Sequence, residues 1–245
     1  MNKRSISRAL PLALVLVLLL VSLGGCSVAS STRGNGRMTN GSFSHDGSIT
    51  KIDISVPATF NITPNKSNEI TYTIDDNLKD LLDITYRNGV LKIATKNNRT
   101  IMSDKITFNI GADALEAITT SGAAVIRGNG AFAAESFALN ISGAGSVELA
   151  LNAQRVSVHC SGAASISLSG TTNELGVDIS GAATINTRNL IAQNVTAKLS
   201  GAGSIQVHAE NKLDASVTGV GSITYWGDPE LTPSTVGVSL VKKGN

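Results

Sequence analysis

Aromatic side chains make up only 4% of the 245 residues, so any core has to be assembled from Val, Ile, Leu and Ala rather than from large rings. Charge is thin as well, at 16%. No basic run with interleaved aromatics occurs, which removes the electrostatic footprint of a nucleic-acid binder. The chain has two cysteines, Cys26 and Cys160, too few for a disulfide framework. Apolar spacing at 3.6 residues is missing, so long amphipathic helices are not expected. The sequence has no H-E-x-x-H, nucleophile elbow, phosphate loop or Cys-x-x-Cys pair. No catalytic set, metal or cofactor is therefore expected.

Short greasy and turn-forming stretches are abundant instead. At the N-terminus Lys3, Arg4 and Arg8 precede an apolar run from Ala9 to Val21, followed by Leu23-Gly24-Gly25-Cys26. A basic head, a short apolar core and small residues before a cut site read as a secretory signal peptide over residues 1–25. The run is short for a spanning helix. Leu23 to Cys26 resembles the lipobox of bacterial lipoproteins, which implies that Cys26 is acylated, palmitate included, and begins the mature chain. Several acyl chains anchor stably where one does not. The alternative is an ordinary cleaved signal with an incidental cysteine. Ser27 follows the cysteine and no Asp retention signal is present. By resemblance to Gram-negative lipoproteins this favours the outer membrane and leaves the side open. Without the three leader residues, seventeen basic residues face eighteen acidic ones, so the formal charge of +2 falls to about −1. Residues 26–41 are rich in Ser, Gly, Asn and Thr and read as a flexible tether.

One hexapeptide recurs in the second half: Ser121-Gly-Ala-Ala-Val-Ile126, Ser142-Gly-Ala-Gly-Ser-Val147, Ser161-Gly-Ala-Ala-Ser-Ile166, Ser180-Gly-Ala-Ala-Thr-Ile185, Ser200-Gly-Ala-Gly-Ser-Ile205 and Thr218-Gly-Val-Gly-Ser-Ile223. The spacings are 21, 19, 19, 20 and 18 residues. A period near 20 means stacked units that bury their faces against neighbours. Apolar residues alternate with polar ones before each copy, as in Phe137, Leu139 and Ile141 or Val156, Val158 and Cys160. They alternate again after it, as in Ile166 and Leu168. That is the period of a half-buried strand. The predicted fold is an all-β parallel β-helix, or β-solenoid, over residues 42–240, with about 20 residues per coil and strands roughly 4.8 Å apart. Gly122, Gly143, Gly162, Gly181, Gly201 and Gly219 occupy the corners, where a positive φ is expected. Residues 42–118 read as irregular opening strands and a cap of the same solenoid, or as a separate small sandwich. Asn88-Gly89 between two of these strands is a hairpin signal. Trp226 to Asn245, with 241–245 as a tail, is expected to cover the other end.

The order of these features resembles the autotransporter-adhesin head domain, also called the GIN or DUF2807 domain. The resemblance rests on Ile52-Asp-Ile-Ser-Val56, Phe60-Asn-Ile62, Val90-Leu-Lys-Ile93, Ile106-Thr-Phe-Asn-Ile110, Leu115 to Ile118, the Ser-Gly-Ala copies and Thr218-Gly-Val-Gly-Ser-Ile-Thr-Tyr-Trp-Gly-Asp-Pro229. It implies a parallel β-helix shaped like the pectin lyases without their catalytic residues, and a role in adhesion. The corners read Ser-Gly-Ala where Gly-Ser-Gly-like corners are common in the family.

Three groups of side chains invite a functional reading. His159, Asp178 and Lys198 fall on the outside of consecutive coils, as a polar catalytic ladder or as a solvated charge ladder worth little energetically. Arg188, His208 and Trp226 align after the second strand of their coils, with Tyr225 beside them. They form a small carbohydrate-stacking patch or a seal on the last coil. Cys160 aligns with Ile141, Ile179, Leu199 and Val217 and reads as an inward small hydrophobe. Asp75-Asp76 reads as a solvated pair in a polar loop. The expected function is a non-enzymatic envelope lipoprotein that adheres to a glycan or other cell-surface ligand. The alternatives are a periplasmic structural or stress lipoprotein and, further off, a polysaccharide-lyase-like enzyme. The oligomeric state is left open.

Overall fold

The computed structural model describes residues 31–103 and 105–245; the leader and Cys26 lie outside the described residues. The early strands are β1 (Ser31–Arg33), β2 (Met38–Ser44), β3 (Lys51–Ile54), β4 (Ala58–Thr63), β5 (Glu69–Asp75), β6 (Leu82–Arg87), β7 (Val90–Thr95), β8 (Thr100–Met102), β9 (Thr107–Gly111) and β10 (Ala117–Thr120). Six long strands follow: β11 (Ala123–Ile141), β12 (Ala144–Cys160), β13 (Ala163–Ile179) and β14 (Ala182–Leu199) each carry the chain from one corner round to the next, whereas β15 (Ala202–Trp226) and β16 (Glu230–Lys243) run on through a corner. All neighbours from β10 to β16 pair in parallel. The fold is a β-solenoid with coils of about 19 residues.

The period-2 pattern places the core. Phe137, Val156, Leu175, Val195 and Leu213 are register partners from coil to coil, and all are buried. Ile126, Val147, Ile166, Ile185 and Ile205 form a second inward column. Each such side chain contributes about 1.5–3 kcal/mol by leaving water. β-branched residues suit a pleated surface packed on both sides, which is why Val and Ile dominate these columns.

The corners are built for a different reason than expected. Of the six corner glycines only Gly219 has a positive φ, at 133°. The others are needed because successive corners nearly touch. A β-carbon on Gly143, Gly162, Gly181 or Gly201 would overlap the carbonyl oxygen of the corner glycine one coil below. Those carbonyls accept the next ladder bonds, such as Ala163 N to Gly143 O at 3.0 Å and Ala182 N to Gly162 O at 3.0 Å. Close backbone approach, not a left-handed turn, excludes side chains here.

The first half joins the same sheet. β3 lies between β7 and β10, and β4 lies between β9 and β11, all in parallel. The coil made by residues 51–63 therefore sits between one made by 90–111 and one made by 117–128. Antiparallel strands close this end: β6 with β7 through Asn88-Gly89, and β5 with β2 and β9. Asn88 (φ 50°) and Gly89 (φ 80°) are both left-handed, as a two-residue hairpin requires. The scarce aromatics gather here. Phe60 stacks on Phe108 at 5.2 Å, and Tyr72 tilts onto Phe108 at 5.5 Å.

Three boundaries differ from the sequence reading. Residues 31–41 are not all tether: β1 pairs with β8, and β2 begins at Met38. Small polar residues suit β2 because the Tyr72 ring lies across Gly41, where a β-carbon would overlap it. The turn before β2 is held by Asp75, Asp76 and Asn77. Gly36 N donates to Asp75 Oδ1 at 2.6 Å, Asn35 Nδ2 to Asp76 Oδ1 at 2.5 Å, and Asn77 Nδ2 to the Arg33 carbonyl at 2.8 Å. Asp75 is thus no solvated carboxylate; it is 3% exposed. At the other end β16 does not fold over the last coil. It adds one more, in parallel register with β15. Residues 241–243, read as tail, belong to that strand.

Candidate functional site

The outward positions of the coils form rows along the solenoid. Thr119, Asn140, His159, Asp178, Lys198 and Ser216 are register partners in six consecutive coils. His159, Asp178 and Lys198 therefore stand on neighbouring strands, as the spacing predicted. All three are exposed. Among the described residues no ion pair within 4.0 Å joins them to one another. Beside this row run the corner serines Ser142, Ser161 and Ser180, and between the rows lies an open groove of about 470 Å³. Its rim carries hydroxyl, amide, imidazole and carboxylate groups. Beneath it lie Ile141 and Cys160, both buried.

A second polar row was not singled out from sequence. On the return segments Asn173 Nδ2 donates to Gln154 Oε1 at 2.6 Å, and Asn211 Nδ2 donates to Gln193 Oε1 at 3.1 Å. Next to them Thr171 Oγ1 donates to Asn152 Oδ1 at 3.2 Å. The amides at 154, 173, 193 and 211 recur at 19, 20 and 18 residues, a signal that lies outside both the hexapeptide and the alternating apolar runs. A groove of about 310 Å³ runs along them, with Ile191 as its exposed apolar wall.

The Trp226 group is brought together, but not by simple alignment. A bulge between Thr187 and Ile191 takes Arg188 out of the column, so His208 pairs with Ile191. The Arg188 guanidinium still reaches Trp226 and lies 4.3 Å from the ring centroid, a cation–π contact. The indole Nε1 donates to the Asn245 carbonyl at 3.2 Å, and Gly244 lies so close that a β-carbon there would overlap the ring. His208 turns to Glu210 at 3.0 Å, and Tyr225 packs against the core. The geometry is that of a clasp: the ring is engaged by its own chain on the last coils.

Cys160 is buried in the column of Ile141 and Ile179. Burial pushes its thiol up from the ordinary value. Asp75 moves the other way. The Ser103 hydroxyl, donating at 2.6 Å, the Gly36 N–H and the charge of Lys105 together hold its carboxyl below the usual value despite burial. Both groups have structural surroundings. No cluster of three or more His, Cys, Asp or Glu with metal-holding geometry occurs among the described residues.

Solved structures share this fold. The chain is similar to a "putative adhesin" from Bacteroides fragilis, with a TM-score of 0.78 at 22% identity over 86% of this chain and 99% of that one. It is also similar to a "putative lipid binding protein" from Parabacteroides distasonis, with a TM-score of 0.69 at 24% identity over 88% and 100%. A "putative adhesin" from Parabacteroides merdae gives 0.65 at 20% identity over 89% and 100%. At these identities the likeness is one of fold. No curated protein matches. The family model described as "Putative auto-transporter adhesin, head GIN domain" matches residues 48–229, a span that holds the opening coil, the β6–β7 hairpin and all six corner copies. The chain belongs to this adhesin-head GIN family, DUF2807.

Proposed function

We propose that this protein is a non-enzymatic binding module of the cell envelope, anchored by lipid on Cys26, that takes an extended polar polymer, a glycan above all, along its rows. The observation that carries this reading is the register of hydroxyl and amide side chains over successive coils. Neighbouring strands repeat every 4.8 Å or so, and amides and hydroxyls offer both donors and acceptors. A rigid row of this kind is organised before binding, so little ordering cost falls on the protein side. Ile191 adds an apolar contact beside the amide row. Membership of an adhesin-head family supports the same reading. So does the surface chemistry: His159, Asp178 and Lys198 of the first row are exposed, and among the described residues no ion pair joins them.

A glycan array probed with the full chain tests this. Binding to one or more polysaccharides, weakened by Gln154→Ala with Asn173→Ala, is expected; an array without a single specific signal overturns the reading. Location is tested separately by treating intact cells with protease. Loss of the domain while a periplasmic control survives is expected of a surface adhesin. Survival of both until the outer membrane is opened refutes surface display.

A further inference from the structure

The end of the solenoid formed by β16 differs from the rest of the surface. β16 is the terminal strand of the sheet and pairs on one side only, with β15. Among the described residues no strand covers its other edge. It lies beyond residues 48–229 matched by the family, yet it repeats the corner once more as Val236-Gly-Val-Ser-Leu-Val241, with Gly237 in register with Gly219. Its outward side chains change character. Thr218, Val220 and Ser222 are followed one coil on by Val236, Val238 and Leu240. Val220, Val236, Val238 and Leu240 are 61, 63, 77 and 51% exposed. An open edge flanked by apolar side chains is a template for strand pairing.

The charge along β16 says what pairs with it. Glu230 stands six residues before Val236 and Lys242 six after it. Both are exposed, and neither forms an ion pair among the described residues, whereas Lys243 is held by Asp228. Leu231 and Val241 of β16 pack against the core, in register with buried Leu213 and Ile223, whereas Glu230, Val236, Val238, Leu240 and Lys242 are exposed. A twofold axis through the corner at Val236, perpendicular to the solenoid, lays each arm of one copy antiparallel to the other arm of a second. Glu230 then faces Lys242 on the outside, Leu231 faces Val241 on the inside, and Val236 meets its own counterpart. A register shift of one residue would turn the inner face outward, and a shift of two would separate the opposite charges.

We propose that a second copy of this chain docks on β16, giving a twofold, end-to-end dimer in which the two solenoids share one continuous core. The interface is isologous, the same patch from both copies.

Sedimentation of the full chain in mild detergent at micromolar concentration tests this, together with three variants whose folding is checked by circular dichroism. A dimer is expected for the parent chain. Glu230→Lys places like charges opposite each other and should weaken the dimer about tenfold or more. Glu230→Lys combined with Lys242→Glu should restore it. Val236→Cys should give a disulfide-linked dimer on oxidation that the parent, with Cys26 acylated as proposed above and Cys160 buried, does not give. A monomeric parent overturns the proposal. So does a dimer that ignores Glu230→Lys and is not cross-linked through Val236→Cys, because the contact then lies elsewhere. Capture of a foreign strand by a parent that stays monomeric overturns it as well.

Discussion

The carbonyl oxygen of Gly162 occupies the space where a β-carbon on Gly181 would have to stand. The same carbonyl accepts a ladder bond from Ala182 N at 3.0 Å, so it cannot move aside without breaking the corner. Gly181→Ala should therefore destabilise by about 3 kcal/mol, the upper end of overpacking costs, and Gly181→Val by more. Asn186→Ser, on the outer face, should be close to neutral. Urea unfolding of the three variants checks this. A mild Gly181→Ala would show that corner spacing can relax.

Asp75 gives the domain an acid limit. Its carboxyl is held below its ordinary value of 3.8 first by the Ser103 hydroxyl, then by the Gly36 N–H and Lys105. A depressed carboxylate contributes stability that is complete above the unfolded value and is lost as pH falls through the folded one. Melting temperature should thus hold from neutral pH to about pH 5 and drop below about pH 4. Asp75→Asn should flatten part of that drop. At pH 7 it should cost about 1–3 kcal/mol, since the buried acceptor is replaced by an amide that cannot satisfy both donors. An unchanged pH profile would remove Asp75 as its cause.

Cys160 should resist thiol reagents in the folded protein and react on unfolding, because burial both hides the sulfur and disfavours the thiolate. Cys160→Val should be tolerated, with a change under about 1.5 kcal/mol, as a swap of similar volume. Cys160→Ser should cost more by burying a hydroxyl. Rapid labelling of the folded chain would contradict the inward assignment.

Trp226→Ala should lower the stability of the last coils and leave polymer binding by the amide row intact. Removing the ring loses the Arg188 contact and the bond to Asn245, each worth about 0.5–1.5 kcal/mol at an exposed site. Hydrogen exchange confined to residues 212–245 should rise. A loss of glycan binding with unchanged exchange would instead make Trp226 a ligand contact.

Much of the coil was legible because its physics is repetitive. Inward columns such as Phe137, Val156 and Leu175 follow from period 2 and a coil length near 20, both visible in the letters. The strands around Ile52, Val90 and Ile106 and the Asn88-Gly89 hairpin were legible for the same local reason. The order of the opening coils was not: nothing in Ile52-Asp-Ile-Ser-Val56 states that it will lie between two later strands. Composition also misled at both ends. Met38 to Gly41 reads as linker until Tyr72 is laid across Gly41, and Val236 to Val241 lacks the Ser-Gly-Ala letters of the corner it repeats. For the candidate site, the His159 row follows from alignment on the hexapeptide, whereas the amide row escapes because Gln154, Asn173, Gln193 and Asn211 stand just before the apolar alternation that marks the strands.

The interleaving of the first coils sets a folding order. Between β11 and β15 each pairing closes a loop of about 20 residues, but Ile52 must find Leu91, 39 residues away, and Ile118, 66 residues away. Closure entropy grows as the logarithm of loop length, so the 66-residue contact costs about 1 kcal/mol more than a coil-to-coil step. The start of the chain is thus the slow end to assemble, although it leaves the ribosome first. Pulsed hydrogen exchange should find protection in residues 144–217 before residues 51–63, and the reverse order would show that the antiparallel cap nucleates the column.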